Sequence, residues 1–485
     1  MTLTLAHWMY ALVTLVVIGT MLLRRGVVLP TLVGTLLVAW IYKGSFIGGL
    51  QAIFNANLVA AKELFSIFLI ITFMVALLHS LKDLGSDRRM IEPIQKVMVN
   101  GHMAFWVLVG VTFVISLFFW PTPAVPLIGA LLIPAAVRAG LPAMGAAVAI
   151  SLAGQGMALS SDYVMQVAPM LSAKAAGVET ALVANKAWIL SLITGATAIG
   201  IAYVSLIKQM RKSNDAHIEN DLKSLATHSS NEEVAAASEV MNAEDQSVLD
   251  RWGKLFAVLV PLSMLGVMIV MVLSKNETSG LGSFEGGDGA AFIGGVAAVL
   301  LVLASMAFGR AHALDRIGDH ITDGFVFAFK AMGPVVPIAG FFFLGSGDFS
   351  GSILSLGEEA AKPAFLFDIV SAAQTLVPQS AFLTAFGIMI IGIITGLDGS
   401  GFSGLPLTGG LSGALAPGVG LDPSTLAAIG QMSSIWTGGG TIIAWSSLVA
   451  VAGFAGVSAI DLARKNFLPV IIGLVVSTII ALLIW

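Results

Sequence analysis

The chain contains no cysteine, which excludes disulfides, thiolate metal sites and a cysteine nucleophile together. Charge is scarce as well. Asp, Glu, Lys and Arg make up 11% of 485 residues, and the formal net charge is -4. So small a balance, spread over loops, supplies neither the basic surface that nucleic acid requires nor a basic membrane-targeting patch. No His or carboxylate cluster has metal-ligand spacing along the chain, and there is no hydrolase or phosphate-loop motif. An embedded enzyme would need a nucleophile paired with a base or a metal, and the polar groups present lack that pairing. The expectation is a protein that is not an enzyme and carries no cofactor.

What fills the chain instead is apolar: 57% of residues are hydrophobic and the mean hydropathy is +0.94. Spanning hydrocarbon takes about 20 apolar residues per helix, and Met103–Phe119, Ala187–Leu206 and Phe467–Trp485 meet or approach that length. The fold class implied is an all-α polytopic membrane protein, with the lipid bilayer as its principal partner. The first apolar segment follows Met1-Thr2-Leu3-Thr4-Leu5-Ala6-His7, without a basic flank or a small-residue cleavage pattern. It reads as a retained helix rather than a signal peptide.

A polar stretch at 208–254, rich in Ser, Asn, Asp, Glu and Ala, divides the chain. It has too few bulky side chains to bury a core and reads as a solvated linker. The flanking halves, 1–207 and 255–485, resemble each other. A shift of 280 residues lays Pro126, Gly129, Ala136 and Gly140-Leu141 on Pro406, Gly409, Ala416 and Gly420-Leu421. After a one-residue slip, Ala176-Gly177-Val178 falls on Ala455-Gly456-Val457, and Lys186 on Lys465. Pro and Gly recurring at fixed spacing point to an internal repeat.

Each half has two places that resist continuous helix. The first pair is Trp120–Pro126 and Leu397–Pro406; the second is Ala153–Asp162 and Ser433–Gly440. Proline removes donors and glycine loosens the backbone. Non-helical backbone at membrane depth survives only where protein or a wet cavity satisfies it, so the four breaks are expected to face one another. Taking the first pair as re-entrant hairpins places most Lys and Arg, including Arg24, Arg88, Arg138, Arg251 and Arg316, on one side. The positive-inside bias makes that side cytoplasmic. The resulting layout has two inverted repeats and ten crossing helices, with hairpins at 103–138 and 380–418 and broken helices at 142–172 and 424–457. The linker is cytoplasmic and both termini lie outside, in a bacterial-type inner membrane. Lys82–Asn100 and Glu358–Gln379 read as amphipathic arms in the interface.

A broken helix offers N–H groups and a positive dipole end to an anion, and unwound carbonyls to a cation. The substrate-binding candidates are Thr122, Ser160, Ser161, Ser400, Ser403, Ser433, Ser434 and Thr437, short hydroxyls suited to an oxyanion or a bare Na⁺. Candidates for a coupling ion, Na⁺ or H⁺, are Asp398, Asp162, Gln155, Gly399 and Gly438. A carboxylate inside a membrane is costly and commonly functional. For Asp162 a helix-capping role is equally open, as is mere capping and close packing for the Ser, Thr and Gly residues. Lys330 reads as a snorkelling residue, and His102 and His320 as interfacial.

With the tips Pro121-Thr122-Pro123 and Asp398-Gly399-Ser400-Gly401, the breaks Ser160-Ser161 and Ser433-Ser434, and the two-half plan, the chain resembles the ion transporter superfamily. The particular likeness is to divalent anion/sodium symporters and gluconate permease-type transporters. That resemblance implies a homodimer with a central scaffold and an outer transport domain moving as an elevator. It further implies a small carboxylate anion carried with a coupling cation. The Ser-Asn-Thr signature of the symporters is absent from all four motifs, so the likeness is one of layout. A Na⁺/H⁺ antiporter built on Asp398 and Asp162 is the alternative.

Overall fold

The computed structural model describes residues 3–23, 25–210, 243–273, 288–309, 313–357, 359–372, 380–397, 399, 401–444 and 446–485. Among them every regular element is helical. The first half runs α1 (Leu5–Leu22), α2 (Val28–Lys43), α3 (Phe46–Asp83), α4 (Ser86–Gln95), α5 (Gly101–Phe119) and α6 (Pro121–Arg138). It continues through α7 (Ala143–Ser161), α8 (Val167–Ala176) and α9 (Thr180–Leu206). The second half runs α10 (Ala243–Leu273), α11 (Asp288–Gly309), α12 (Ala313–Met332), α13 (Val335–Phe343), α14 (Gly347–Ile353) and α15 (Phe365–Ala372). It ends with α16 (Ala381–Gly396), α17 (Leu405–Val419), α18 (Pro423–Gly438), α19 (Leu448–Phe454) and α20 (Ala459–Ile484). Residues 211–242 of the expected linker lie outside the described residues.

Local sequence sets many of these boundaries. Asn100 caps α5 through the Met103 N–H at 2.9 Å, and Ser380, 280 positions later, caps α16 through the Leu383 N–H at 3.4 Å. A side-chain oxygen at this position satisfies a donor that the first helical turn leaves orphaned. At the other ends, Gly140 (φ 96) and Gly420 (φ 71), and likewise Gly177 (φ 69) and Gly456 (φ 60), form two corresponding pairs in left-handed conformation. Only glycine adopts it without strain.

The antiparallel arms α5 and α6 form a helical hairpin. A Cβ on Gly101 would sit 3.0 Å from the Gly140 carbonyl oxygen, so the open ends of the two arms touch. Corresponding glycines then exchange partners between halves. Gly129 on α6 packs against Phe454 of α19, and Gly409 on α17 packs against Ser172 and Ala175 of α8. Such reciprocal contacts are what a two-fold relation between the halves produces. The long helices α9 and α20 also meet, with Gly473 close to the Thr194 carbonyl.

Among the described residues four helices are long and apolar enough to cross a membrane, or six if two bent pairs each count as one span. Leu5–Thr20, Val28–Lys43, Ala291–Ala307 and Ala381–Gly396 are apolar but shorter. Large apolar side chains such as Leu15, Phe54, Leu262 and Leu468 remain exposed on the outer helices. A soluble monomer rarely tolerates this over extended areas, whereas lipid does not penalise it. The chain is a multi-pass all-α membrane protein.

Three expected boundaries move. The first tip is not an unwound Trp120–Pro126 stretch: Trp120 alone (φ 57, ψ 145) separates the arms, and α6 begins at Pro121. Pro121 and Pro123 occupy the first turn, where a missing N–H costs no helical hydrogen bond. Second, Ala153–Ser161 does not unwind. The middle of α7 is π-helical over Ser151–Ala158, and the chain breaks at Asp162–Gln166, both of which have positive φ. Third, α18 stays helical through Ser433–Gly438 and gives way afterwards, over 439–444. In the last two cases small residues serve close packing rather than unwinding.

Candidate functional site

All four interruptions meet at one junction. At the hairpin tips the Trp120 and Phe402 rings lie 5.2 Å apart between centroids. The first hairpin abuts the first broken helix, since a Cβ on Gly154 would lie 3.0 Å from Ser116 Oγ and 3.7 Å from Pro121 Cβ. The two broken helices cross where a Cβ on Gly156 would overlap the Trp436 ring. The second hairpin closes on α18, with Ser434 Oγ donating to the Gly401 carbonyl at 3.0 Å. Glycines at these positions let backbones approach to distances that any side chain would prevent.

Polar atoms without a protein partner gather here. Trp120 Nε1, Trp436 Nε1, Gln155 Oε1, Ser116 Oγ and Thr112 Oγ1 are all buried and make no hydrogen bond. Gln155 and Trp436 are fully buried and Trp120 is 6% exposed. The amide nitrogen of Gln155 is engaged, donating to the Ser447 carbonyl at 3.0 Å. Around the crossing, Gln431 Nε2 donates to the Ser160 carbonyl at 2.9 Å, and Asn466 Nδ2 donates to Ser151 Oγ and the Thr441 carbonyl, each at 2.9 Å. The amide oxygens of Gln431 and Asn466 again have no partner. Leaving one buried polar group unsatisfied costs about 1–3 kcal/mol. Several at one place mark a site that a polar ligand, an ion or water would complete.

The helix ends are arranged for both signs of charge. The N-termini of α6 and α17 begin at the tips, while α7 and α18 terminate at the breaks. Two positive dipole ends suit an anion and two negative ends suit a cation.

The expected site residues other than Asp162 divide into four groups. Ser160, Ser161, Ser433 and Thr437 are buried, but their hydroxyls donate to their own helices, to the carbonyls of Met157, Ala158, Ile429 and Ser433. They retain lone pairs for a cation and have no free proton for an anion. Gln155, Ser434, Ser403 and Gly438 are buried in or beside the junction. Thr122 is exposed, and Gly399 is partly exposed with φ 93. Asp398 and Ser400 lie outside the described residues.

Asp162 is 3% exposed, and its Oδ2 accepts from the Ala168 N–H at 2.7 Å. It therefore caps α8 from within the break, which is the capping alternative left open by the sequence. The indoles of Trp120 and Trp436, with Ser116 and Thr112, were missing from the sequence reading. A tryptophan in so apolar a chain carries no local mark of an unpaired N–H, although Trp120 at a hairpin tip was the one available hint. At the rim of this assembly Lys186 is 9% exposed, and its Nζ donates at 2.7 Å to Asp422 Oδ2 and to Thr425 Oγ1. Burial raises the Asp422 carboxyl, but the bonds from Lys186 and Ser424 outweigh that and hold it below its ordinary value of 3.8.

The sequence shows no metal-ligand spacing, yet the fold brings His79, His320 and Asp323 together. His320 lies in the first half of α12 and is 9% exposed. His79 stands 241 positions before His320, a separation that leaves no spacing signal.

No protein-family model matches the chain. It is 35% identical over 480 residues to the uncharacterized membrane protein YhfA of Bacillus subtilis (strain 168), covering 98% of each chain. The crystal structure of the YdaH transporter of Alcanivorax borkumensis, described as having an unusual topology, superposes with a TM-score of 0.47 at 14% identity. That superposition covers 90% of this chain and 89% of that one, a likeness too distant to assign a fold.

Proposed function

Given that the chain belongs to the same family as the membrane protein YhfA of Bacillus subtilis, we propose that it is a secondary active transporter of a small carboxylate anion, coupled to Na⁺ or H⁺. One observation carries the reading: unpartnered buried polar atoms of both signs collect where two hairpin tips and two broken helices meet. The indole N–H groups of Trp120 and Trp436 and the N-termini of α6 and α17 supply donors for a carboxylate. Gln155 Oε1, the lone pairs of Ser160, Ser161, Ser433 and Thr437, and the carbonyl ends of α7 and α18 supply acceptors for a cation. No Lys or Arg lies in the four breaks, so a co-bound cation offsets the substrate charge.

In this proposal the protein works as a homodimer in a bacterial-type inner membrane, with both termini outside and the linker inside. The junction moves as an elevator against α1–α3 and α10–α13. Asp398 and Ser400, which lie outside the described residues, are retained as candidates on the sequence alone. A second reading, Na⁺/H⁺ antiport, draws support from Asp162, a carboxylate buried at the first break.

Proteoliposomes separate the two. Uptake of a labelled organic acid that requires an imposed Na⁺ or proton gradient, and that falls on replacing Gln155 with Ala, is the expected result. Gradient-driven Na⁺/H⁺ exchange with no organic acid taken up from a broad panel would overturn it in favour of antiport.

A further inference from the structure

Away from the junction, α3 and α12 pack closely near their polar ends. Gly324, beside Asp323, lies against the backbone of Thr72, with a Cβ there only 3.0 Å from the Thr72 carbonyl carbon. On α3, His79 and Asp83 are four residues apart; on α12, His320 and Asp323 are three apart, so each pair shares a helix face. Facing one another, His79, His320 and Asp323 each offer a ligand atom, and these atoms lie within 4.8 Å of one another. His79 Nδ1 is 3.6 Å from Asp323 Oδ2.

We propose that His79, His320 and Asp323 form a divalent transition-metal site of the Zn²⁺ class, clamping α3 to α12. Tetrahedral Zn²⁺ with bonds of about 2.0–2.1 Å places its ligands about 3.3 Å apart. The His79–Asp323 separation already approaches that, and small side-chain rotations bring in the third ligand. Two imidazoles and one carboxylate favour Zn²⁺ over Mg²⁺ or Ca²⁺, which take oxygen ligands. Three protein ligands leave a fourth position for water.

Asp83 supplies the outer support. Its Oδ2 is 3.1 Å from His320 Nε2, so an Nε2–H donated to the carboxylate leaves Nδ1 as the lone-pair nitrogen. This is the carboxylate–histidine–metal arrangement that fixes tautomer and ring orientation. Arg316 lies 3.2 Å from the same oxygen and balances the Asp83 charge, leaving that of Asp323 for the cation. His79 and Asp323 have side chains 34% and 61% exposed, which gives a metal ion access from water.

The test uses the tag-free full chain in nanodiscs, titrated with Co²⁺ and followed by visible ligand-field absorption, then displaced with Zn²⁺. Expected is one saturating Co²⁺ per chain. Asp323→Asn and His320→Ala should lose the signal, Asp83→Asn should weaken binding by about 10–100-fold, and His102→Ala should leave it unchanged. The exposed Asp323→Asn guards against misfolding: without metal it unfolds at the wild-type temperature, and Zn²⁺ raises the wild-type midpoint but not its own. Absence of a saturable spectrum in the wild type, or an unchanged one in Asp323→Asn, overturns the site.

Discussion

The two broken helices hold corresponding places in the halves but give way by different means. In α7 the helix widens to π geometry over Ser151–Ala158 and ends at Asp162, a residue with a side chain in a left-handed conformation (φ 36). Its carboxylate then caps the next half-helix. In α18 the helix remains regular to Gly438 and ends in Gly438-Gly439-Gly440, with Gly440 at φ 121. The first break is held by a polar side chain and the second by the absence of side chains. The repeat therefore preserves a shape, while the chemistry within each copy is free to differ.

Gly440→Ala should have the largest effect of the changes that test this contrast. Its Cβ would run into Gln155 Oε1 and Ser447 Oγ, in a backbone conformation costing about 1–3 kcal/mol for a residue with a side chain. The expected outcome is loss of transport together with a lower melting temperature in detergent. Wild-type values for both would show that the second break does not depend on bare backbone.

At the first break, Asp162→Ala removes a cap worth about 1 kcal/mol and leaves a left-handed residue without the local hydrogen bond that makes Asp tolerable there. Asp162→Asn keeps an acceptor for the Ala168 N–H, so its thermal stability should stay near wild type. Gradient-coupled uptake decides the rest. Uptake lost in Asp162→Asn at preserved stability assigns the carboxylate to coupling; uptake retained confines it to capping.

A smaller effect separates the paired lysines of the two halves. Lys186 is buried against Asp422, whereas Lys465, at the corresponding position, is exposed. Lys186→Ala should cost about 1 kcal/mol, because the Asp422 end of the pair is half exposed. Lys465→Ala should stay within about 0.5 kcal/mol. The Asp422 carboxyl is held below 3.8, so the stabilisation from the pair is complete above that value and disappears as pH falls through the lower folded-state value. Melting curves of wild type and Lys186→Ala should therefore converge in acid. A gap that persists there would assign the effect to packing.

The mildest test is labelling. With cysteine absent from the natural chain, single cysteines at Thr122 and Ser403 report on the two tips directly. Thr122 is exposed and Ser403 is 2% exposed, so Thr122→Cys should react with a polar maleimide far faster. Equal rates would mean that the tips sample both exposures on the timescale of labelling.

Much of the architecture was legible in the residue order. Gly140 and Gly420 recur at the repeat spacing and end the hairpin arms, and the Pro- and Gly-bearing stretches lie at or beside the breaks. Less legible was which small residue unwinds a helix and which lets another helix approach. Gly154 and Gly156 do the second and Gly440 takes part in the first, a choice that depends on what stands opposite. For the same reason Ser160, Ser161, Ser433 and Thr437 read as ligands although their protons are committed to their own helices. The indoles of Trp120 and Trp436 lie inside the expected breaks, but nothing local marks their N–H groups as unpaired.

Composition and local pattern by themselves determined that this chain lies in a membrane and is helical, and they pointed to two related halves with interruptions in corresponding places. These properties follow from hydrophobicity, helix caps and glycine conformation, which act over a few residues. Only the tertiary structure decided which buried donors and acceptors are left without partners at the junction, and that His79 stands opposite His320 and Asp323. Whether a polar atom is satisfied depends on what packs against it across hundreds of residues of chain, and local sequence holds no record of that.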